Sequence, residues 1–291
     1  MRMINSLAIE KSERSFLPEA YAYKDFFKRA GVKCDFVDPG SLIILDYDAV
    51  LIFHGLHPFW RKYPKIIIAE YHTLSTGRLG RFKDFIKRVL NVRADITLFL
   101  NEDIRRKLWF KKNQSYLYIN MGVPLKEYDG LACEKKKYDV VYAGSFRDGV
   151  VSAIDKLASF GLSVAVVGFE YIGNSESVYS FGRMSPVEAR RIIAQARFGL
   201  NLTPNIHPYN IQDSTKVLEY CAAGLGVITN RYEWINKFES EYKASFLDIK
   251  NITCVQVINS FSFVVPDIAD RDWEAVINSS GLEKKLNTFY K

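Results

Sequence analysis

Between Asp213 and Asn230 the chain sets a hydroxyl, a cation and a carboxylate at spacings that suit a phosphorylated, diol-bearing ligand. The run Ser214-Thr-Lys-Val-Leu-Glu-Tyr-Cys-Ala-Ala-Gly-Leu-Gly-Val-Ile-Thr-Asn230 reads as a short helix, a glycine stop and a buried strand. Asp213 or Ser214 can cap the helix by offering a side-chain oxygen to free backbone N–H groups. Gly224 stands where a left-handed C-terminal cap is wanted, and Val227, Ile228 and Thr229 make a β-branched strand. A helix N-terminus carries unpaired N–H donors and about half a positive charge, so it attracts phosphate. Lys216 adds a full charge in the first turn. Ser214 and Thr215 can meet phosphate through backbone or hydroxyl groups, or simply cap the helix. Glu219, about one turn on, can accept hydrogen bonds from a ribose diol. Diphosphate at a helix end and ribose at a carboxylate make a nucleotide-sugar donor site. The bland alternative is a plain strand–helix unit of any doubly wound domain.

Other residues offer chemistry at predicted strand ends. Arg147 follows Gly144 in such a loop and can hold the donor diphosphate, stabilising the charge that develops as the glycosidic bond breaks; its bland reading is a surface arginine. In the first half, His72 ends the strand-like run before Glu70-Tyr-His-Thr73, where it can contact the transferred sugar or the acceptor. A second strand is followed by His54-Gly-Leu-His57, and Gly55 lets a substrate approach closely. His54 and His57 lack a third ligand at metal-binding spacing. Asp46-Tyr-Asp48 has the look of a DxD metal motif but precedes its strand, so it reads as a turn. No essential metal is expected.

The 291 residues are 48% hydrophobic and 14% aromatic, enough for one large or two medium cores. No run is long and apolar enough for a transmembrane helix, and the opening residues charge too soon for a signal peptide. Cys34, Cys133, Cys221 and Cys254 are widely spaced, which suggests reduced thiols and a cytoplasmic protein rather than a disulfide framework or zinc site. Residues 1–130 hold 22 Lys/Arg against 15 Asp/Glu, whereas residues 131–291 hold 18 of each. The whole net charge of +7 therefore lies in the first half. Such a half attracts nucleic acid, anionic lipid or a phosphorylated substrate.

The basic excess is concentrated in Arg78–Arg93, with six cations and one acid. Leu79, Phe82, Ile86 and Val89 recur there at helical spacing. Arg105, Arg106, Lys107, Lys111 and Lys112 bracket Trp109 and Phe110. Cations flanking an apolar stripe suit an anionic membrane surface, with Arg81, Lys87 and Arg88 as the lipid-facing charges. The plainer reading is a core helix with a solvated basic face.

The elements that must position these groups alternate. Strands are expected at Met3–Ile9, Lys33–Val37, Ala49–Phe53, Lys65–Ala69, Ile96–Leu100 and Tyr116–Asn120, with helices at Pro18–Ala30, Arg81–Leu90 and Glu102–Phe110. The lysine-rich Glu134–Lys137 reads as a linker. A second series follows: strands at Asp139–Tyr142, Leu162–Val167, Val178–Phe181 and Phe198–Leu202, and helices at Gly149–Phe160 and from the Ser185/Glu188 capping box to about Ala196. Such alternation argues for parallel sheets, with ligands at the C-terminal ends of the strands.

The stretch Ser214 to Ile228 resembles the donor-binding pattern of family-4-like GT-B glycosyltransferases, roughly Ser-x-Lys-x-x-Glu-Tyr-x-Ala-x-Gly-x-Pro-Val-Ile. Ser214, Lys216, Glu219, Tyr220, Ala222, Gly224, Val227 and Ile228 match; Gly226 replaces the proline. Ile211 stands where the family often has a second glutamate, and no lysine follows Arg147 at the family's usual place. The resemblance extends in order through Asn120–Pro124, Tyr142–Gly149, Val164–Gly168, Phe181–Ser185 and Asp272-Trp273. It implies an α/β GT-B fold, two Rossmann-like domains facing a cleft: residues 1–130 for the acceptor, 131–270 for the nucleotide sugar, and 271–291 as a C-terminal helix packing back on the first domain. It implies Arg147, Lys216 and His72 as catalytic residues, Gly144, Ser145, Arg183, Met184, Ser214, Thr215 and Glu219 as donor-binding residues, and Gly55 and His57 as acceptor-binding residues. The expected activity is metal-independent, retaining transfer, with no cofactor beyond the nucleotide-diphosphate sugar itself, UDP and GDP not being distinguished. The expected acceptor is lipid-linked or a polysaccharide in cell-surface glycan assembly (O-antigen, capsule or similar), handled in the cytoplasm or peripherally on the inner membrane face. Two other classes stay open: a GT-B-like binding protein without catalysis, and a basic nucleic-acid-binding protein. No helix-turn-helix, RRM or KH pattern supports the latter.

Overall fold

A computed structural model describes residues 4–13, 17–108, 115–131, 135–147 and 149–290. Trp109, Phe110, Lys111, Lys112, Cys133 and Glu134 lie outside the described residues. The chain forms two compact units, Met1–Gly122 with Asp270–Lys291, and Val123–Ala269.

The first unit holds a parallel six-stranded sheet. Its strands are β1 (Ser6–Glu10), β2 (Lys33–Val37), β3 (Ala49–Phe53), β4 (Ile66–Tyr71), β5 (Ile96–Phe99) and β6 (Ser115–Tyr118), in the spatial order β2-β1-β3-β4-β5-β6. β3 and β4 are buried along their whole length, as apolar β-branched runs require when helices cover both faces. Helices α1 (Pro18–Arg29), α2 (Gly80–Leu90) and α3 (Glu102–Leu108) fall between the strands. Asp48, read as part of a turn, fixes the entry to β1: its Oδ2 accepts from Asn5 N at 2.8 Å and Ser6 N at 3.0 Å.

The second unit repeats the plan. Strands β7 (Tyr138–Ala143), β8 (Val164–Val167), β9 (Val178–Ser180), β10 (Ala196–Asn201), β11 (Gly226–Thr229) and β12 (Leu247–Asp248) lie in the order β12-β11-β10-β7-β8-β9, all parallel. Helices α4 (Val150–Ser159), α5 (Pro186–Ala194), α6 (Thr215–Ala222), α7 (Glu233–Tyr242) and α8 (Val255–Ser260) surround it. The Ser185/Glu188 capping box is formed. The stretch from β12 through α8 carries no strong local signal and has no counterpart in the sequence reading.

The chain then re-enters the first unit. Asp272 caps α9 (Trp273–Ser280) by accepting from Glu274 N at 3.0 Å, and α10 (Leu282–Leu286) follows. Trp273 lies against Gly122, where any Cβ would overlap its ring, and Arg29 pairs with Glu274 at 2.8 Å. The closing helix is thus fastened to residues 1–122, and the division of the chain falls at 122/123 rather than 130.

Helix α2 departs from the core-helix reading. Leu79, Phe82, Phe85 and Val89 are each more than half exposed. Lys87, expected to face outward, turns in and donates to Ser75 Oγ at 2.8 Å; Arg81, Lys83 and Arg88 are the exposed cations of this helix.

Candidate functional site

In the second unit the ends of β7 and β10 and the start of α6 converge. β7 gives way to Gly144, whose φ of +156° suits a residue without Cβ. A Cβ there would come within 2.5 Å of Lys216 Cε, so the lysine lies directly over this glycine. Lys216 Nζ is 3.5 Å from Tyr142 Oη and 5.0 Å from the ring centroid. The Tyr142 hydroxyl donates to Ser145 O at 2.9 Å, which shapes the loop carrying Arg147. Arg147 is exposed, and neither it nor Lys216 has an ion pair among the described residues. Burial, and next the Arg147 charge, push the Lys216 pKa down to about 7. Two cations whose charges act on each other, neither in an ion pair among the described residues, can serve as counter-charge for a diphosphate.

The Ser214 hydroxyl is already engaged. It accepts from Val217 N at 3.5 Å and donates to Asn201 Oδ1 at 3.1 Å. Asn201 is buried and donates to Thr229 Oγ1 at 2.9 Å and Tyr232 Oη at 3.0 Å. This network holds the hydroxyl, so at this helix end an anion could be met by the backbone N–H groups of the first turn, Thr215 and Lys216 included. At the other end of the helix, Gly224 takes the left-handed conformation with φ +69°.

Glu219 has no hydrogen-bond partner among the described residues. Burial raises its pKa to about 7, against the pull of Arg190 and Lys216. Beside it lies Tyr128, whose buried hydroxyl is also unpartnered and whose pKa is raised by burial and by the Glu219 charge. Arg190, on α5, pairs with Glu127. A carboxylate without a hydrogen-bond partner can accept from a diol. Tyr128 and Arg190 were missed in the sequence, since neither belongs to a local pattern. Arg183 is exposed and Met184 half-buried, directly after Gly182.

Tyr220 ties the site to the sheet. Its hydroxyl accepts from Ala143 N at 3.0 Å and donates to Leu200 O at 3.1 Å. The ring crosses Gly199, where any Cβ would overlap it.

The first unit gathers a separate cluster at the C-terminal ends of β1, β3 and β4, around the point where strand order reverses. His72 is buried with Nε2 bonded to Glu70 and Nδ1 3.6 Å from Glu19. Burial alone would lower its pKa, but the two carboxylates outweigh this and raise it to about 10. Both nitrogens are therefore engaged, and His72 is a fixed cation rather than an open base. His54, 6.4 Å away ring to ring, is held down to about 4 by desolvation and the His72 charge, which makes it the neutral imidazole of the pair. His57 is buried, with Nε2 donating to Phe53 O at 2.7 Å and Nδ1 3.4 Å from Glu10. Arg61 clasps that carboxylate bidentately at 2.7 and 3.2 Å. Gly55 lies against the His57 ring, 3.1 Å from its Nε2 to a Cβ position. Of the residues expected on the acceptor side, His57 and His72 are buried and Gly55 half-buried. Among the described residues no group of three or more His, Cys, Asp or Glu is placed to hold a metal.

No known protein-family profile matches the chain, and no curated protein sequence matches it. Its shape has many counterparts. AviGT4, a glycosyltransferase involved in avilamycin A biosynthesis, aligns over 98% of this chain and 96% of its own, with TM-score 0.60 and 11% identity. Anabaena HepE, solved with UDP and glucose, aligns over 99% and 96%, with TM-score 0.59 and 10% identity. A UDP-GlcNAc 2-epimerase from Methanocaldococcus jannaschii aligns over 94% and 99%, with TM-score 0.53 and 9% identity. Two six-stranded parallel sheets, each wrapped by helices, together with this match over nearly the whole length, give the chain the GT-B glycosyltransferase fold.

Proposed function

We propose that this protein transfers a sugar from a nucleoside-diphosphate sugar to an acceptor hydroxyl. The observation that carries this reading is the arrangement on and around α6: Arg147 and Lys216 without an ion pair among the described residues, and Glu219 and Tyr128 without a hydrogen-bond partner. Diphosphate sits at the cations and the helix N-terminus; the ribose diol sits at Glu219. As the glycosidic bond breaks, negative charge grows on the diphosphate, and Arg147 and Lys216 stabilise it in place of a divalent ion. The sugar leaves with retention of its anomeric configuration, as the family resemblance implies. Structural neighbours that act on nucleotide sugars, HepE with UDP-glucose among them, support the donor class. The epimerase of the same fold makes product analysis necessary.

For the acceptor we propose a lipid-linked or polysaccharide glycan. The exposed Phe82, Phe85, Leu79 and Val89, joined by exposed Phe59 and Trp60 at the α2 C-terminus, support attachment to an anionic inner leaflet. No described helix is long and apolar enough to cross a membrane. The test is a thermal-shift screen of UDP-, GDP- and dTDP-sugars, followed by labelled-sugar transfer to a lipid extract with and without EDTA. Transfer that persists in EDTA is expected. Absence of any nucleotide-induced stabilisation, or an epimerised free nucleotide sugar as sole product, refutes the reading.

A further inference from the structure

We infer that the donor site is built for guanosine, with the Glu170 carboxylate taking the base. The inference rests on the donor-site reading above and assigns its base. Three glycines, Gly144, Gly168 and Gly182, follow the adjacent strands β7, β8 and β9. Gly144 N donates to Val167 O at 2.9 Å and Gly168 N to Gly182 O at 2.7 Å. A Cβ on Gly168 would overlap Gly144 O, and one on Gly182 would overlap Glu170 Oε1. The row is thus a continuous strip of bare backbone, two strand spacings or about 10 Å across. Lys216 lies over one end and Glu170 over the other. The phosphates belong to the Lys216 end. Arg190, whose charge acts on the ribose carboxylate Glu219, lies on α5, which starts four residues after Gly182. The base therefore extends from the ribose towards Gly182 and Glu170.

Glu170 is prepared for a ligand. Its Oε2 accepts from Ser180 Oγ at 3.1 Å, and that hydroxyl is itself held by Tyr171 N at 3.0 Å. The side chain is exposed, and no cation pairs with it among the described residues. Oε1 is open. A carboxylate only accepts hydrogen bonds. The Watson–Crick edge of guanine presents two neighbouring donors, N1–H and the 2-amino group, which match a carboxylate bidentately and with charge assistance. Uracil and thymine present one N–H between two carbonyl oxygens, and those oxygens face the carboxylate with like polarity. Adenine presents one donor beside an acceptor. A site built to receive two donors rejects analogues that lack them.

The experiment is calorimetric titration of the full chain with GDP, IDP, UDP and ADP, for wild type and for Glu170→Gln and Glu170→Ala. GDP should bind roughly 10- to 150-fold tighter than UDP in the wild type, as two charge-assisted bonds allow. IDP, which lacks the 2-amino group, should fall between. Both variants should lose GDP affinity and leave UDP affinity unchanged, collapsing the preference. UDP binding as tightly as GDP, or a GDP preference that survives Glu170→Ala, overturns the inference while the donor-site reading stands. If none of the four binds, the donor-site reading itself fails.

Discussion

Glu219 should weaken the fold that holds it. A carboxyl whose pKa is moved from 4.5 to about 7 by burial costs the folded state roughly 3 kcal/mol once the pH exceeds both values. The cost is absent below about pH 4.5, where the group is protonated in both states. It grows between 4.5 and 7, because the unfolded chain releases its proton first, and it is complete above 7. Glu219→Gln keeps the shape and removes the charge, so at pH 8 it should stabilise the ligand-free protein by about 1–3 kcal/mol. At roughly 2–4 °C per kcal/mol for domains of this size, the melting temperature should rise by several degrees, and the gain should vanish at pH 4. Glu219→Ala should at the same time weaken nucleoside-diphosphate binding by about 1.5–3 kcal/mol, the range for hydrogen bonds to a charged group. Differential scanning fluorimetry across pH and calorimetry with the nucleotide read the two effects. A surface glutamate on a helix predicts neither. Unchanged or lowered melting of Glu219→Gln at pH 8, with nucleotide affinity intact in Glu219→Ala, would refute the assignment.

Lys216, with a pKa of about 7, must be protonated to hold diphosphate. Nucleotide affinity should therefore drop about tenfold per pH unit above neutrality, with proton uptake visible as buffer-dependent heats; a flat profile from pH 7 to 9 would show that the lysine stays outside the anion site. Gly144→Ala places a methyl 2.5 Å from Lys216 Cε on a backbone of φ +156°. It should cost at least tenfold in nucleotide affinity, and wild-type binding would remove Lys216 from the site. Phe82→Ser with Phe85→Ser, or Arg81→Gln with Lys83→Gln, should each reduce flotation with anionic vesicles while nucleotide binding stays unchanged. Wild-type protein that ignores anionic vesicles at low salt argues for a soluble acceptor.

Much of the region around α6 was legible because its signals are local. Ser214, Ser185 and Asp272 each precede a helix as a polar cap should. The strands announced themselves as β-branched runs, with edges misplaced by one to three residues. What was missed depends on distant parts of the chain meeting. Nothing near Tyr128 or Arg190 tells that they flank Glu219. Periodicity showed an apolar stripe along α2, but the same stripe results whether protein, lipid or water lies against it. Lys87 and Lys83 differ only by helical angle, and the loop at Ser75 decides which turns inward. His72 was placed correctly at the end of a strand; its clamp by Glu19 and Glu70 depends on where α1 returns to the sheet.

Gly199 and Tyr220 carry a consequence for how such chains can diverge. The ring occupies the space that any side chain at 199 would need, and its hydroxyl closes the β7 and β10 ends. A larger residue at 199 expels the ring, while a smaller one at 220 leaves both a void and an unanswered backbone pair. Neither position has a tolerable single step, so they are inherited together. Among related chains, alanine or serine at the glycine position should appear only where the tyrosine has also been lost, and a library that varies the two sites jointly should recover function only along that diagonal.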